Sequence, residues 1–156
     1  PTRALTMAAV ITLGWRERVA LPDLGITGLK AKLDTGARSS ALHVDTLEVF
    51  RRDGTDWLRF EVSSGRRRVR AWQAEAAASD RRVVTDTGGH RSERWFIRSM
   101  VSVAGEVYPI DISLTDRRHM LFPMLLGRTA IAGRFAVDPR LSYTQPRAER
   151  AVTDTP

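Results

Sequence analysis

The sequence contains no cysteine in its 156 residues and only two lysines, Lys30 and Lys32. Without cysteine the chain cannot form disulfides, and its cellular compartment is not tied to an oxidising environment. No apolar run approaches the length of a membrane-spanning helix. The apolar segment 5–13 is too short, and too lightly charged upstream, for a secretory signal. We therefore expect a soluble, cytoplasmic protein.

The other basic residues are 23 arginines, and the formal net charge is +7. Such a surface attracts acidic partners such as phosphates or carboxylate-rich peptides. A coding bias towards arginine explains the same composition, and the sequence leaves both explanations open. The length predicts one domain with a core of its own. We assign this domain to residues 10–143, between a flexible N-terminus (1–9) and a disordered C-terminal tail (144–156).

Many short apolar segments separated by turn residues predict an all-β barrel. The Asp53-Gly54 pair lies between two alternating segments and favours a type I′ hairpin turn. A second hairpin is predicted between residues 68–74 and 82–85. The only helix that the pattern supports is a short one at residues 129–132.

The most informative stretch is residues 29–43, LKAKLDTGARSSALH. Its first part alternates apolar and basic residues with the period of a half-buried strand. Asp34 lies at the end of this strand, where it begins a tight turn with Thr35 and Gly36. A carboxylate at the tip of a rigid strand suits an acid/base catalyst, because a hydroxyl can support the loop and glycine permits close approach. The alternative is that Asp34 only caps the turn.

A second informative element is PMLLGR at residues 123–128, an apolar strand that ends in Gly-Arg. Together, LDTGARSSAL and MLLGRTAI resemble the retropepsin-like aspartic peptidases. The match is closer still to a bacterial retropepsin-like group long labelled ATP-dependent zinc proteases, and it covers residues 10–143. The resemblance implies a closed retropepsin-type β-barrel with one short helix and the activity of an aspartic endopeptidase.

In this family the Asp-Thr-Gly-Ala loop carries the catalytic aspartate, and an apolar-apolar-Gly strand packs behind it. The resemblance therefore implies that Asp34 is catalytic. It also implies a set of residues that shape and support the loop: Thr35, Gly36, Ala37, Leu126, Gly127 and Arg128.

One position departs from the viral members of the family. They have an aspartate directly after the loop, where it pairs with the arginine of the Gly-Arg strand, and this chain has Arg38 there. Arg128 then needs another acid, for which Asp116 and Asp138 are nearest in sequence, or it binds substrate.

Aspartic peptidases need two carboxylates a few ångströms apart that share one proton. The chain has a second Asp-Thr-Gly at Asp86, but no second apolar-apolar-Gly strand accompanies it, and its surroundings predict a hairpin turn. We therefore expect a homodimer in which each subunit contributes one Asp34.

The resemblance also bears on the substrate. The bacterial group is linked to ATP-grasp glutamate ligases, which implies a peptide or protein substrate that carries added glutamates. We expect Arg38, Arg94 and Arg117 to bind such an acidic substrate.

No cofactor is expected, in spite of the label given to the group. The histidines are His43, His90 and His119, and none has the i, i+4 or His-Glu-x-x-His spacing of a zinc helix. We interpret His43 as structural. No glycine-rich loop ends in Gly-Lys-Ser/Thr, so the sequence does not support ATP binding by that route.

The best case for nucleic acid is residues 66–72, RRRVRAW, because basic side chains bind phosphates and an aromatic ring stacks on a base. A solvated arginine-rich hairpin is the commoner outcome, and a flap over the substrate is a third one. A rival interpretation of the whole chain is a non-catalytic peptide- or RNA-binding barrel that keeps the Asp34 loop as a scaffold.

Overall fold

The computed structural model of the protein describes residues 10–64, 70–85, 88–116 and 121–146. Within them the chain forms twelve strands, one 3-10 turn and one short helix. In chain order these are β1 (Ile11–Leu13), β2 (Arg16–Leu21), the 3-10 turn (Pro22–Leu24), β3 (Ile26–Asp34), β4 (Ser40–His43), β5 (Thr46–Arg52), β6 (Thr55–Ser63), β7 (Ala71–Ala77), β8 (Asp80–Thr85), β9 (Arg91–Val103), β10 (Glu106–Thr115), β11 (Met124–Gly127), α1 (Arg128–Ile131) and β12 (Phe135–Val137). No helix in the described ranges is long and apolar enough to cross a membrane.

The central sheet has seven strands in the order β10-β4-β11-β3-β2-β9-β8. Strand β11 inserts between β3 and β4, running parallel to the first and antiparallel to the second. Strand β10 then continues parallel to β4. This order brings the ends of β3 and β11 together, with Gly127 directly beside Asp34 in the register.

The all-β prediction is confirmed, and the closure of the strands into a barrel stays a prediction. Strand β9 pairs with β10 along an extended antiparallel register. The same strand meets β2 only through Ala20 and Ser102. Backbone pairing therefore runs through all seven strands, and β9 links back to β10.

A smaller sheet contains β5, β6 and β7. Its first turn has the predicted type I′ geometry, since Asp53 and Gly54 both have positive φ, 52° and 77°. The second predicted hairpin is wrong, because β7 pairs with β6 whereas β8 pairs with β9. The Ala78 N–H donates to Asp56 of the small sheet and the Ser79 N–H to Phe96 of the central sheet, so the chain changes sheets there.

Both sheets contribute to one hydrophobic core. In β3, Leu29, Ala31 and Leu33 are buried while Lys30 and Lys32 are exposed, as the alternation predicts. The same cluster contains side chains from four other strands: Leu58, Phe60 and Val62 of β6, Ile97 of β9, Ile112 of β10, and Met124 and Leu126 of β11.

The segment 138–146 lies along β1 and β2. The Asp138 N–H donates to Leu13 O at 2.8 Å, and the Tyr143 N–H donates to Arg16 O at 2.9 Å. Thr144, with which the tail was expected to begin, donates its N–H and its hydroxyl to the buried Glu17 carboxylate at 2.8 and 2.5 Å. Ordered hydrogen bonding thus extends past residue 143. The expected flexible N-terminus (1–9) and residues 147–156 of the expected tail lie outside the described residues.

Candidate active site

Asp34 is the last residue of β3, and its side chain is partly exposed. Its Oδ1 accepts a hydrogen bond from the Gly36 N–H at 3.0 Å. Its backbone carbonyl accepts the Ala37 N–H at 3.3 Å, which closes the turn. The loop therefore holds the Asp34 carboxylate through the backbone that follows it, and leaves it accessible to solvent.

Gly127 supports this loop from behind. It is buried beside Asp34 at the end of β11, and its N–H donates to the Ser40 hydroxyl at 3.0 Å. A Cβ atom at this position would overlap the Ser39 carbonyl group and lie 3.0 Å from Ala37 O. Only glycine lets the two backbones approach so closely.

The first residues of α1 bind the carbonyl groups of the same loop. The Arg128 N–H donates to Ala37 O at 2.6 Å, and the Thr129 N–H and hydroxyl donate to Arg38 O at 3.1 and 2.8 Å. The Arg128 guanidinium donates from Nη1 to Thr35 O at 3.2 Å. Three loop carbonyls are thus fixed by two consecutive residues.

Of the two acids expected as partners of Arg128, Asp138 is engaged elsewhere. Asp138 binds Arg140 instead, with Nη2 and Oδ2 2.9 Å apart, and the hydrogen bonds from Arg140 lower the pKa of Asp138. Asp116 is exposed just after β10 and has an interaction of its own. The Arg128 guanidinium donates to a neutral carbonyl, that of Thr35, and so contributes to holding the loop.

Two of the three arginines expected to bind substrate lie in the described part of the chain, on different elements. Arg38 is exposed directly after the Asp34 loop. Arg94 lies on β9, where the register places it opposite Arg82 of β8. Arg117 lies outside the described residues, as does Asp86 of the second Asp-Thr-Gly.

The histidines do not assemble a metal site in the described part of the chain. His43 Nε2 lies 3.3 Å from Asp45 Oδ1, and the backbone N–H of His43 donates to Pro123 O at 2.8 Å. His90 is exposed before β9, and His119 lies outside the described residues. Among the residues described, no three His, Asp or Glu side chains are grouped to hold a metal ion.

Sequence reasoning missed the parts played by Ser40 and Thr129. Ser40 is almost fully buried and accepts the Gly127 N–H, and its carbonyl accepts the Ser113 hydroxyl at 3.3 Å. Ser40 belongs to the SALH segment that carried the family resemblance, and this segment forms strand β4, which was not predicted. The motif was a usable signal, but hydrogen bonds between residues far apart in sequence leave no periodic pattern.

Several proteins of known sequence or structure are similar to this chain. A crystal structure of a protein of unknown function from Legionella pneumophila is 31% identical, with a TM-score of 0.72 over 87% of this chain and 98% of that one. A protein of Desulfotalea psychrophila named "Probable alpha-L-glutamate ligase" is 35% identical over 130 residues, and one of the same name from Parasynechococcus marenigrum is 37% identical over 138 residues.

The match to these two ligase-named relatives covers 83% and 88% of this chain but only 28% and 30% of their own length. The family described as the retropepsin-like aspartic endopeptidase RimB matches residues 12–148. That range includes the Asp34 loop, β11 and α1. The chain therefore belongs to the RimB-like family of retropepsin-like aspartic endopeptidases.

Proposed function

We propose that the protein is a cytoplasmic aspartic endopeptidase that acts as a homodimer, with one Asp34 from each subunit. The observation that carries the proposal is the placement of Asp34. It stands at the end of a strand, partly exposed, in a loop whose backbone is held by Gly127, Arg128 and Thr129. A carboxylate held in this way on a rigid element is suited to acid/base chemistry.

The reaction needs two carboxylates that share one proton. The ionised Asp34 removes a proton from a water molecule, whose oxygen attacks the peptide carbonyl carbon. The protonated Asp34 of the other subunit donates its proton to the carbonyl oxygen. When the tetrahedral diol breaks its C–N bond, the proton taken from water passes to the leaving amine. One hydroxyl of the diol returns its proton to the other Asp34, which restores the starting protonation of both carboxyl groups.

The names of the relatives support a substrate class. Proteins named probable alpha-L-glutamate ligase contain a segment similar to this chain, as 28–30% of their length. A ligase that joins glutamate to a protein makes a glutamate-bearing product. A peptidase segment in the same chain would be well placed to cleave that product. We propose that this chain hydrolyses glutamate-rich or glutamate-tailed proteins, and that Arg38, Arg94 and Arg117 help to bind them.

The test is the substitution Asp34→Asn, assayed on a glutamate-tailed protein and on a neutral peptide. The amide keeps the shape of the side chain but cannot exchange a proton, so we expect cleavage to fall by about 10³-fold or more. Circular dichroism and the melting temperature should remain those of the wild type.

Asp86→Asn is the matched control, because it changes the aspartate of the second Asp-Thr-Gly, and we expect it to retain wild-type cleavage. Equal losses in both variants would favour a single-chain site with two aspartates. Cleavage by neither the wild type nor Asp34→Asn, with peptide binding by both, would favour the non-catalytic binding protein.

A further inference from the structure

Four cations lie on one face of β2 and β3. The register places Arg16 of β2 opposite Lys32 of β3, and Arg18 opposite Lys30. All four are at least partly exposed, whereas Glu17, between the two arginines, is buried on the other face. Both lysines of the sequence belong to this group, which we call the basic face.

Most other arginines of the described chain are neutralised by a carboxylate within 3.4 Å. These ion pairs are Arg51–Asp56, Arg52–Glu75, Arg59–Glu48, Arg59–Glu75, Arg81–Glu93, Arg82–Asp80, Arg98–Asp111, Arg134–Glu106 and Arg140–Asp138. None of the four cations of the basic face forms an ion pair with any described residue. Like charges directly opposite each other destabilise a strand pair, so this arrangement requires a reason.

Aromatic and hydroxyl groups hold the two arginines in place. The guanidinium carbon of Arg16 lies 4.9 Å from the centre of the Tyr143 ring, and that of Arg18 lies 4.4 Å from it. Arg16 Nε also donates to the Ser142 hydroxyl at 3.2 Å. These contacts orient both guanidinium groups without neutralising them. The basic face is therefore ordered and still positively charged.

The basic face lies in line with Asp34 along β3. Side chains alternate along a strand, so Lys30, Lys32 and Asp34 share one side of β3, at intervals of about 7 Å. An extended polypeptide has the same interval between every second side chain. Carboxylates at alternate positions of such a chain can therefore lie over both pairs of cations while its backbone continues towards Asp34.

We propose that the basic face binds an extended acidic polypeptide and guides it to the Asp34 loop. The binding step stands by itself, and only the delivery to Asp34 rests on the proposed function. A polypeptide fits better than a nucleic acid, because both aromatic rings that contact Arg16, those of Trp15 and Tyr143, are already covered by guanidinium groups and offer little room for base stacking.

The experiment measures binding without cleavage, in protein that carries Asp34→Asn. The probe is a fluorescent decapeptide with glutamate at every second position, and the reference peptide has glutamine at those positions. In this background, Arg18→Gln with Lys30→Gln removes two cations of the basic face. Arg51→Gln with Arg98→Gln is the matched control, because it removes the same charge from two arginines that already have carboxylate partners.

We expect the glutamate peptide to bind more tightly than the glutamine peptide at low salt, and the preference to shrink as salt rises. Arg18→Gln with Lys30→Gln should weaken binding about fivefold to tenfold, and the control pair by less than about twofold. Unchanged melting temperatures would show that all variants fold.

Three results would overturn the proposal. The two double substitutions could weaken peptide binding equally, or the protein could show no preference for the glutamate peptide. An oligonucleotide could also bind more tightly than the glutamate peptide, through Arg18 and Lys30. The proposed peptidase can fail separately. Wild-type protein that binds the glutamate peptide through the basic face but cleaves nothing would support the binding step and contradict the proposed peptidase activity.

Discussion

A side chain at position 127 would collide with the backbone of the loop that follows Asp34. The wild-type Gly127 has an ordinary φ of −87°, so its role is to leave space and not to adopt an unusual conformation. Gly25 is the opposite case, because its φ is +69° and nothing lies within 4 Å of an added Cβ. Alanine substitutions at the two glycines therefore distinguish the effect of steric collision from that of backbone strain.

We predict that Gly127→Ala lowers the free energy of unfolding by about 1–3 kcal/mol and reduces cleavage, because the Ser39 carbonyl must move away from the new methyl group. Gly25→Ala should cost about 1 kcal/mol, through strain alone, and leave cleavage unchanged. Urea denaturation and peptide assays measure both effects. A Gly127→Ala protein with wild-type stability and activity would show that the loop does not depend on this close approach.

Tyr108 gives a prediction for alkaline pH. Its hydroxyl is buried and donates to Ala130 O at 2.7 Å, and burial raises the pKa of Tyr108 to about 12. The unfolded chain loses this proton near pH 10, and the folded chain keeps it up to about pH 12. The unfolded state then binds fewer protons, so stability is full below pH 10 and falls as the pH rises to 12.

We therefore expect the free energy of unfolding to decrease more steeply between pH 10 and 12 in the wild type than in Tyr108→Phe. Comparing the two proteins cancels the titration of every other group. Guanidinium-chloride unfolding at a series of pH values measures the two slopes. Identical slopes would mean that Tyr108 titrates alike in the folded and the unfolded chain.

At the scale of structural elements, the segment 138–146 attaches the end of the domain to β2 by hydrogen bonds. Glu17, only 1% exposed, accepts the Gly14 N–H at 2.7 Å as well as both donors of Thr144. A buried carboxylate is tolerated when donors surround it in this way. The same segment carries Tyr143, so its attachment also positions the arginines of the basic face.

We predict that Thr144→Val lowers the free energy of unfolding by about 1.5–3 kcal/mol, because it removes a hydroxyl donor from a buried carboxylate. Ser142→Ala is the control from the same segment. Its hydroxyl meets Arg16 at the surface, so its loss should change stability by about 0.5 kcal/mol or less. Thermal and urea unfolding report both values. If the two substitutions cost the same, Thr144 does not act through Glu17.

For the whole molecule, the requirement for two carboxylates makes activity depend on self-association. We predict that specific activity rises with protein concentration and that excess Asp34→Asn protein suppresses the wild type, since mixed dimers contain one titrating Asp34. Activity assays across a dilution series, with added Asp34→Asn or an equal amount of albumin, test this. Specific activity that is independent of concentration and insensitive to Asp34→Asn would show that one chain suffices.

Much of the fold could be predicted from local pattern. Alternation marked β3 and its buried side chains, Asp53-Gly54 marked a type I′ turn, and the two family motifs marked the Asp34 loop and the strand behind it. These features depend on a few neighbouring residues. The period of a strand, the positive φ of a turn and the order of residues in a motif are all set within a short stretch of chain.

The local pattern does not predict which strands pair or which side chains contact each other. A strand has the same period whatever its neighbour, so nothing local distinguishes β6 from β8 as the partner of β7. Arg128 binds Thr35 O, and Thr144 binds Glu17, across 93 and 127 residues. The four cations of the basic face come together only because β2 and β3 pair in one particular register. Such contacts depend on long-range packing, which the local sequence does not encode.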